Sequence, residues 1–190
     1  MKGEIIMSII ENWKNTPPDT IKINWDKVEE KLGFALHKNL KDLYSRIVIN
    51  DDDFEGFYSI MCFQPNEFVK KYINKNNWLE EANGNRKYCE LTLEPLLKVD
   101  DKYICDYFQE VFFGDWTGGN DFGHRAYLGE LLTNIGQITL IFNNDTGEFE
   151  WVDFGYGYYE EYEQNPYGIV ADDTQEFLDK FVIVEEEIVE

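Results

Sequence analysis

Ile5, Ile6, Ile9, Ile10 and Trp13 fall at i, i+1, i+4, i+5 and i+8, the spacing of one face of an amphipathic helix over Glu4 to Trp13. Thr16-Pro17-Pro18-Asp19-Thr20 stops it. A second helix starts at the cap residue Asn24, carries Val28 and Leu32 on one stripe and ends at Gly33. A third, from about His37 to Ile47, places Leu40, Leu43, Tyr44 and Ile47 on one face. Asn50-Asp51-Asp52-Asp53 marks a turn, Gly56 to Phe63 a mostly buried strand, and Pro65 to Asn74 a helix with Phe68, Val69 and Tyr72 inward. Asn74 to Lys87 is polar and turn-rich, an exposed excursion. Cys89 to Val99 and Tyr103 to Phe113 read as strands, the second from Tyr103, Cys105 and Tyr107, with Phe108 out of phase.

The clearest strand signal is a hairpin, Gly136 to Asn143 and Glu148 to Phe154 about the turn Asn144-Asp145-Thr146-Gly147. In its second arm Phe149, Trp151 and Asp153 alternate with Glu148, Glu150 and Val152, a half-buried pattern. Asp172-Asp173 then cap a last helix that turns Phe177, Leu178 and Phe181 inward. Helices, a strand-rich middle and a closing helix predict an α+β fold. The expected layout is an N-terminal helical extension over 1–18, one domain over 19–184 and an acidic tail over 185–190.

Composition narrows the function. The formal net charge is −21, and Ile141 to Glu190 holds fifteen carboxylates against the single Lys180. Such a field argues against nucleic acid, anionic membrane or nucleotide as ligand and leaves a basic protein, a cation or no charged ligand at all, of which the basic protein is the favoured reading. An apolar fraction of 43% with 31 aromatic residues still supplies a proper core. No apolar run approaches the ~18 residues of a membrane span, and Ile5 to Ile10 lacks the flanks of a secretion signal. Cys62, Cys89 and Cys105 are odd in number and widely spaced, as thiols in a reducing compartment are. A cytoplasmic location is expected.

Candidate chemistry is sparse. Gly114-Asp115-Trp116-Thr117-Gly118-Gly119-Asn120 lacks the lysine of a phosphate loop, and the two aspartates flanking its glycines, Asp115 and Asp121, would repel a phosphate. A tight turn between strands is the better reading. His37 and His124 have no partner of suitable type nearby in sequence, and Asn143 to Gly147 resembles a calcium loop less than a hairpin turn. No metal, cofactor or catalytic residue is expected. The segment Phe154-Gly-Tyr-Gly-Tyr-Tyr-Glu-Glu-Tyr-Glu is more suggestive, because tyrosines give rigid contact area and interleaved glutamates meet lysines and arginines. The contact residues expected are Asp115, Trp116, Asp121, Tyr156, Tyr158, Tyr159, Glu160, Glu161 and Glu163. Complementary charge of this kind raises association rates by one to three orders of magnitude. The bland alternative packs the tyrosines on the sheet and leaves the glutamates in solvent.

Three segments together resemble the SMI1/KNR4 family of the SUKH superfamily. They are the helix–Gly–helix opening Trp25 to Tyr44, with Leu32-Gly33, Leu36, Leu40 and Leu43; Val111 to Phe122, similar to that family's strand and glycine-rich Gly-Asp turn; and the strand pair Ile138 to Trp151 followed by Thr174-Gln175-Glu176-Phe177-Leu178. His37 stands where that family usually has proline, and Asn50-Asp51 where it has Asn-Gly. The resemblance implies a single domain with a central mixed or antiparallel sheet flanked by helices, and a role without catalysis. Many bacterial members are immunity proteins that neutralise a polymorphic toxin, often a nuclease or deaminase; fungal members are cell-wall and signalling scaffolds. The reading that follows is a protein-binding immunity module. Its alternatives are an intracellular regulatory scaffold and a carbohydrate-binding domain using Trp116, Tyr156 and Tyr158.

Overall fold

The computed structural model describes residues 11–18, 20–48, 61–63, 89–93, 95–133, 136–154 and 162–182. Helix α1 (Trp25–Leu32) begins where the Asn24 side chain accepts from the Lys27 N–H, and it closes at Gly33. Helix α2 (Lys38–Tyr44) is capped by His37, whose Nδ1 accepts from the Asn39 N–H at 3.2 Å. Leu40, Leu43, Tyr44 and Ile47 are all buried. The α1–α2 link is held by Glu29, which accepts from the Leu36 N–H at 2.8 Å and pairs with Lys41 at 2.5 Å. Burial alone would raise the Glu29 carboxyl; Lys41 and the Leu36 N–H outweigh it and hold it below its ordinary value.

Helix α3 (Asp101–Phe113) occupies the segment whose aromatic alternation suggests a strand. Its buried residues, Ile104, Phe108, Val111 and Phe112, follow the helical period, and Asp100 caps it by accepting from the Tyr103 N–H. The phase break at Phe108 is that helix. The glycine-rich turn after it therefore joins a helix to a strand, not strand to strand.

Seven antiparallel-paired strands are described: β1 (Met61–Phe63), β2 (Cys89–Leu93), β3 (Arg125–Thr133), β4 (Gly136–Asn143), β5 (Glu148–Val152), β6 (Tyr167–Ala171) and β7 (Phe181–Val182), in the order β6-β5-β4-β3-β2-β1-β7. With helix α4 (Thr174–Asp179), capped by Asp173, the fold is α+β. The β4–β5 hairpin pairs Phe142 with Phe149 and Leu140 with Trp151. These four face the main core, with α3 packed on β3 and Phe177 of α4 stacked on Phe149 at 4.3 Å. Trp13, in a helical turn over residues 11–15, belongs to the same core through an edge contact with Phe181, so this stretch packs on the sheet and helices that follow it.

The second arm of the hairpin is buried on both faces, not one. Ile141 and Val152 look away from the helices into a second cluster with Phe122, Phe154 and Tyr162. The expected Gly56 and Pro65 elements and the 74–87 excursion lie outside the described residues, apart from Met61–Phe63.

The hairpin turn ties the halves together. Asn144 is buried; its Oδ1 accepts from the His37 N–H at 2.7 Å and its Nδ2 donates to the Ala35 carbonyl at 2.9 Å. Asn39 donates to the carbonyls of Gly147 and Asp172. Arg46 grips Asp42 with two 2.8 Å bonds and donates to Gln175 of α4. Gly147 has φ +82°, and a Cβ there would meet the His37 ring.

Gly147→Ala should therefore destabilise the protein by roughly 1–3 kcal/mol, from the positive φ and the displaced imidazole; an unchanged denaturation midpoint would contradict the packing. Burial, with Lys38 beside it, pushes the His37 imidazole below its ordinary value. The unfolded chain then binds the proton more readily, so stability is fully present above about pH 6.5 and falls as pH drops through the folded value. His37→Asn, which can still cap the helix, should flatten that slope between pH 7 and 5 in denaturant titrations; identical slopes would remove His37 as the source.

Candidate functional site

The second face of the sheet has no helix packed along it among the described elements. Three short segments cover it. The first is the loop from α3 to β3. Asp115–Thr117 form a 3₁₀ turn, and Gly118 and Gly119 follow with φ of +60° and +80°, reversing the chain. Thr117 is buried, its hydroxyl donating to the Gly114 carbonyl and accepting from the Gly119 N–H. Asn120 donates to the Thr117 carbonyl, and the Asp121 Oδ1 accepts from the Gly123 N–H at 2.9 Å. These bonds lay Phe122 onto the sheet.

The second and third segments are Phe154, just past β5, and the 3₁₀ turn Tyr162–Gln164 before β6. Phe122 stacks on Phe154 with 5.7 Å between ring centres and meets Tyr162 edge-on at 5.7 Å. Phe154 and Tyr162 are themselves 6.1 Å apart, and the Asp153 N–H donates to the Pro166 carbonyl. Phe154 and Tyr162 are thus both fixed beside the glycine-rich loop.

Under these rings lies a carboxylate. Glu150 is 5% exposed. Its Oε1 accepts from Asn143 Nδ2 at 2.8 Å, and its Oε2 from the Tyr162 hydroxyl at 2.9 Å and from Arg125 Nε at 3.3 Å. The Arg125 guanidinium also lies 4.1 Å from the centre of the Tyr162 ring and donates to the Phe122 carbonyl. Burial, then the neighbouring Glu150 charge and the bond to it, push the Tyr162 phenol far above its ordinary value, so it stays a donor. The second cluster is thereby pinned by a buried, charge-assisted network.

Of the expected contact residues, Asp115 and Asp121 are exposed on the glycine-rich loop. Trp116 is half-buried: its Nε1 donates to the Val111 carbonyl at 3.0 Å, and its ring lies against Phe122 and Tyr127. Glu163 is within the Tyr162–Gln164 turn. Tyr156, Tyr158, Tyr159, Glu160 and Glu161 lie outside the described residues. The acidic aromatic block divides, since Trp151, Phe154 and Tyr162 are core while Tyr167 is 43% exposed.

The β4–β5 turn and the β6–α4 turn lie at the same end of the sheet as the glycine-rich loop, because Arg125, Asn143 and Glu148 are in register and Phe149 pairs with Ala171. Asp121, Asp145, Glu148, Asp172 and Asp173 therefore gather there. Among the described residues Asp115, Asp121, Glu148, Asp172 and Asp173 form no ion pair, while Asp101 and Asp106 on α3 are matched by Lys27 and Lys31. Asp145 meets His124 at 2.8 Å, and His124 stacks on Phe34 at 4.2 Å. That spatial partner was invisible in the sequence.

Sequence reasoning also missed Phe113 and Phe122. Phe113 is 53% exposed at the end of α3. With Phe112, Phe122, Thr117, Gly119, Asn120, Asp121 and Gly123 it lines a cleft of about 360 Å³. The signal was three bulky apolar residues in a row, Val111-Phe112-Phe113, an arc of about 200° on a helix, of which one core buries the first two and leaves Phe113 out.

Comparison of the chain with protein-family models, with curated proteins and with solved structures finds no match. Among the described residues no helix is long and apolar enough to cross a membrane.

Removing the Tyr162 hydroxyl leaves a buried carboxylate short of a donor. Tyr162→Phe should cost about 1–3 kcal/mol, and Arg125→Met more, about 3–5 kcal/mol, because the charge is then uncompensated. Calorimetry checks both; a Tyr162→Phe protein as stable as the parent would mean that Glu150 does not depend on this bond.

Proposed function

We propose that the protein is a non-enzymatic binding module of the SUKH type, an immunity protein that holds a basic toxin domain against the acidic end of its sheet. The observation that carries this reading is convergence. Trp116 packs on the ring cluster Phe122, Phe154 and Tyr162, Asp115 and Asp121 flank it on the same loop, and Phe154 and Tyr162 are the residues on either side of the tyrosine-rich segment. Around them Glu148, Asp172 and Asp173, which form no ion pair among the described residues, and Asp145, which meets His124, supply negative charge. A face of that kind suits lysines and arginines that would otherwise hold nucleic-acid phosphates, which fits a nuclease or deaminase as target.

The SUKH assignment is supported by the helix–Gly–helix opening of α1 and α2 and by the β4–β5 hairpin followed by a capped C-terminal helix, all packed on one antiparallel sheet. The segment Val111 to Phe113 departs from the pattern, being the end of a helix where a strand was expected. A cytoplasmic site of action follows from this role.

The test is co-expression with the product of the neighbouring gene. That product alone should arrest growth, the present chain should restore it, and the two should co-purify at low salt. Asp115→Lys combined with Asp121→Lys should reduce protection and speed dissociation by at least about tenfold, as expected when charge contacts at a protein interface are reversed. A neighbour that is harmless, or a pair whose affinity ignores both substitutions, contradicts the proposal.

A further inference from the structure

The cleft beneath Phe113 has the chemistry of a side-chain socket. Its walls are aromatic: Phe112 and Phe122 are buried and fixed, and Phe113 stands exposed at the rim. The rest of its lining comes from the Thr117 to Gly123 turn, where Gly119 and Gly123 add no side chain to fill it. Its charge is Asp121. One carboxylate oxygen is committed to the Gly123 N–H, which orients the group, and the side chain is otherwise exposed with no ion pair among the described residues. Asn120, tied through its Nδ2 to the Thr117 carbonyl, lines the same cleft.

A volume of about 360 Å³ lies at the small end of ligand pockets, which run from ~300 to ~1,000 Å³. It suits one long side chain better than a cofactor. Apolar walls accept the methylene stem and the flat face of a guanidinium, and a single oriented carboxylate meets its charge. A lysine would use the carboxylate but not the flat walls.

We propose that this cleft is the anchor site for an arginine side chain presented by the protein's basic partner. The inference rests on the binding role proposed above and names the residue type that the surface selects. Phe113 and Phe122 embrace the guanidinium and Asp121 receives its N–H donors. The surrounding carboxylates steer the partner without choosing between lysine and arginine.

The test uses small probes on the full chain. N-acetyl-arginine amide is titrated against isotopically labelled protein and compared with N-acetyl-citrulline amide, which has the same shape without the charge. Arginine should give saturable shifts at the amides of Gly119, Asn120, Asp121 and Gly123; citrulline should bind at least about tenfold more weakly, as loss of a charge-assisted contact implies. Asp121→Asn, which preserves the bond to the Gly123 N–H and hence the turn, should abolish the difference between the probes. Phe113→Leu should weaken the arginine response while leaving the turn's own amide positions in place. Equal responses to both probes, or arginine shifts confined to other acidic regions, overturn the proposal. Saturable arginine binding alongside a harmless gene neighbour retains the socket and removes the immunity role. Protection in cells alongside equal responses to the two probes does the reverse.

Discussion

Glu150 sits where a carboxylate costs most, on an inward strand position beneath aromatic rings, and the architecture of the second sheet face follows from satisfying it. Its partners come from three places: Asn143 across the hairpin, Arg125 at the start of β3 and Tyr162 from beyond the tyrosine-rich segment. None of these is close to Glu150 in sequence except through the hairpin. Satisfying the charge therefore fixes the entry of β3 and the return into β6 together. Arg125 extends the constraint to Phe122 by donating to its carbonyl, so the glycine-rich loop is seated by the same network.

A buried ion pair of this sort is poor evidence for stability, since an apolar replacement often does as well. Its value here is positional. A helix laid along this face would have covered Ile141 and Val152 with side chains alone. The chain instead uses a loop, a short turn and a charge, and that leaves exposed aspartates and Phe113 next to a rigid aromatic support. Rigid support beneath exposed groups is what a binding face needs, because little freedom is then lost on association.

Much of the fold was legible wherever local rules and tertiary packing agree. Asn24 and Gly33 bracket α1, Asp173 caps α4, and the Asn144 to Gly147 turn with its flanking arms forms the hairpin. Helix α3 was misread because Tyr103, Cys105 and Tyr107 alternate, while the burial that decides the matter runs through Ile104, Phe108, Val111 and Phe112. Strand β6 escaped notice, and β3 was anticipated only as a strand without bounds after the glycine-rich turn. Gly129 interrupts the register of β3, and Tyr167 and Ile169 of β6 are exposed, so neither shows a plain buried alternation. The site was half legible. Asp115, Trp116 and Asp121 stood out by type, but the contact of Phe122 with Phe154 and Tyr162, which seats their loop on the sheet, is long-range, and periodicity carries no information on it.

In the function proposed above, a basic protein docks at the acidic end of the sheet and not on the helical face. Hydrogen exchange of the complex with the neighbouring gene's product, against the free chain, tests this most directly. The account predicts added protection across residues 113–124, 144–148 and 162–168, with α1 and the exposed side of α2 unchanged. Protection confined to α1 and α2, with the glycine-rich loop exchanging as in the free protein, would contradict it.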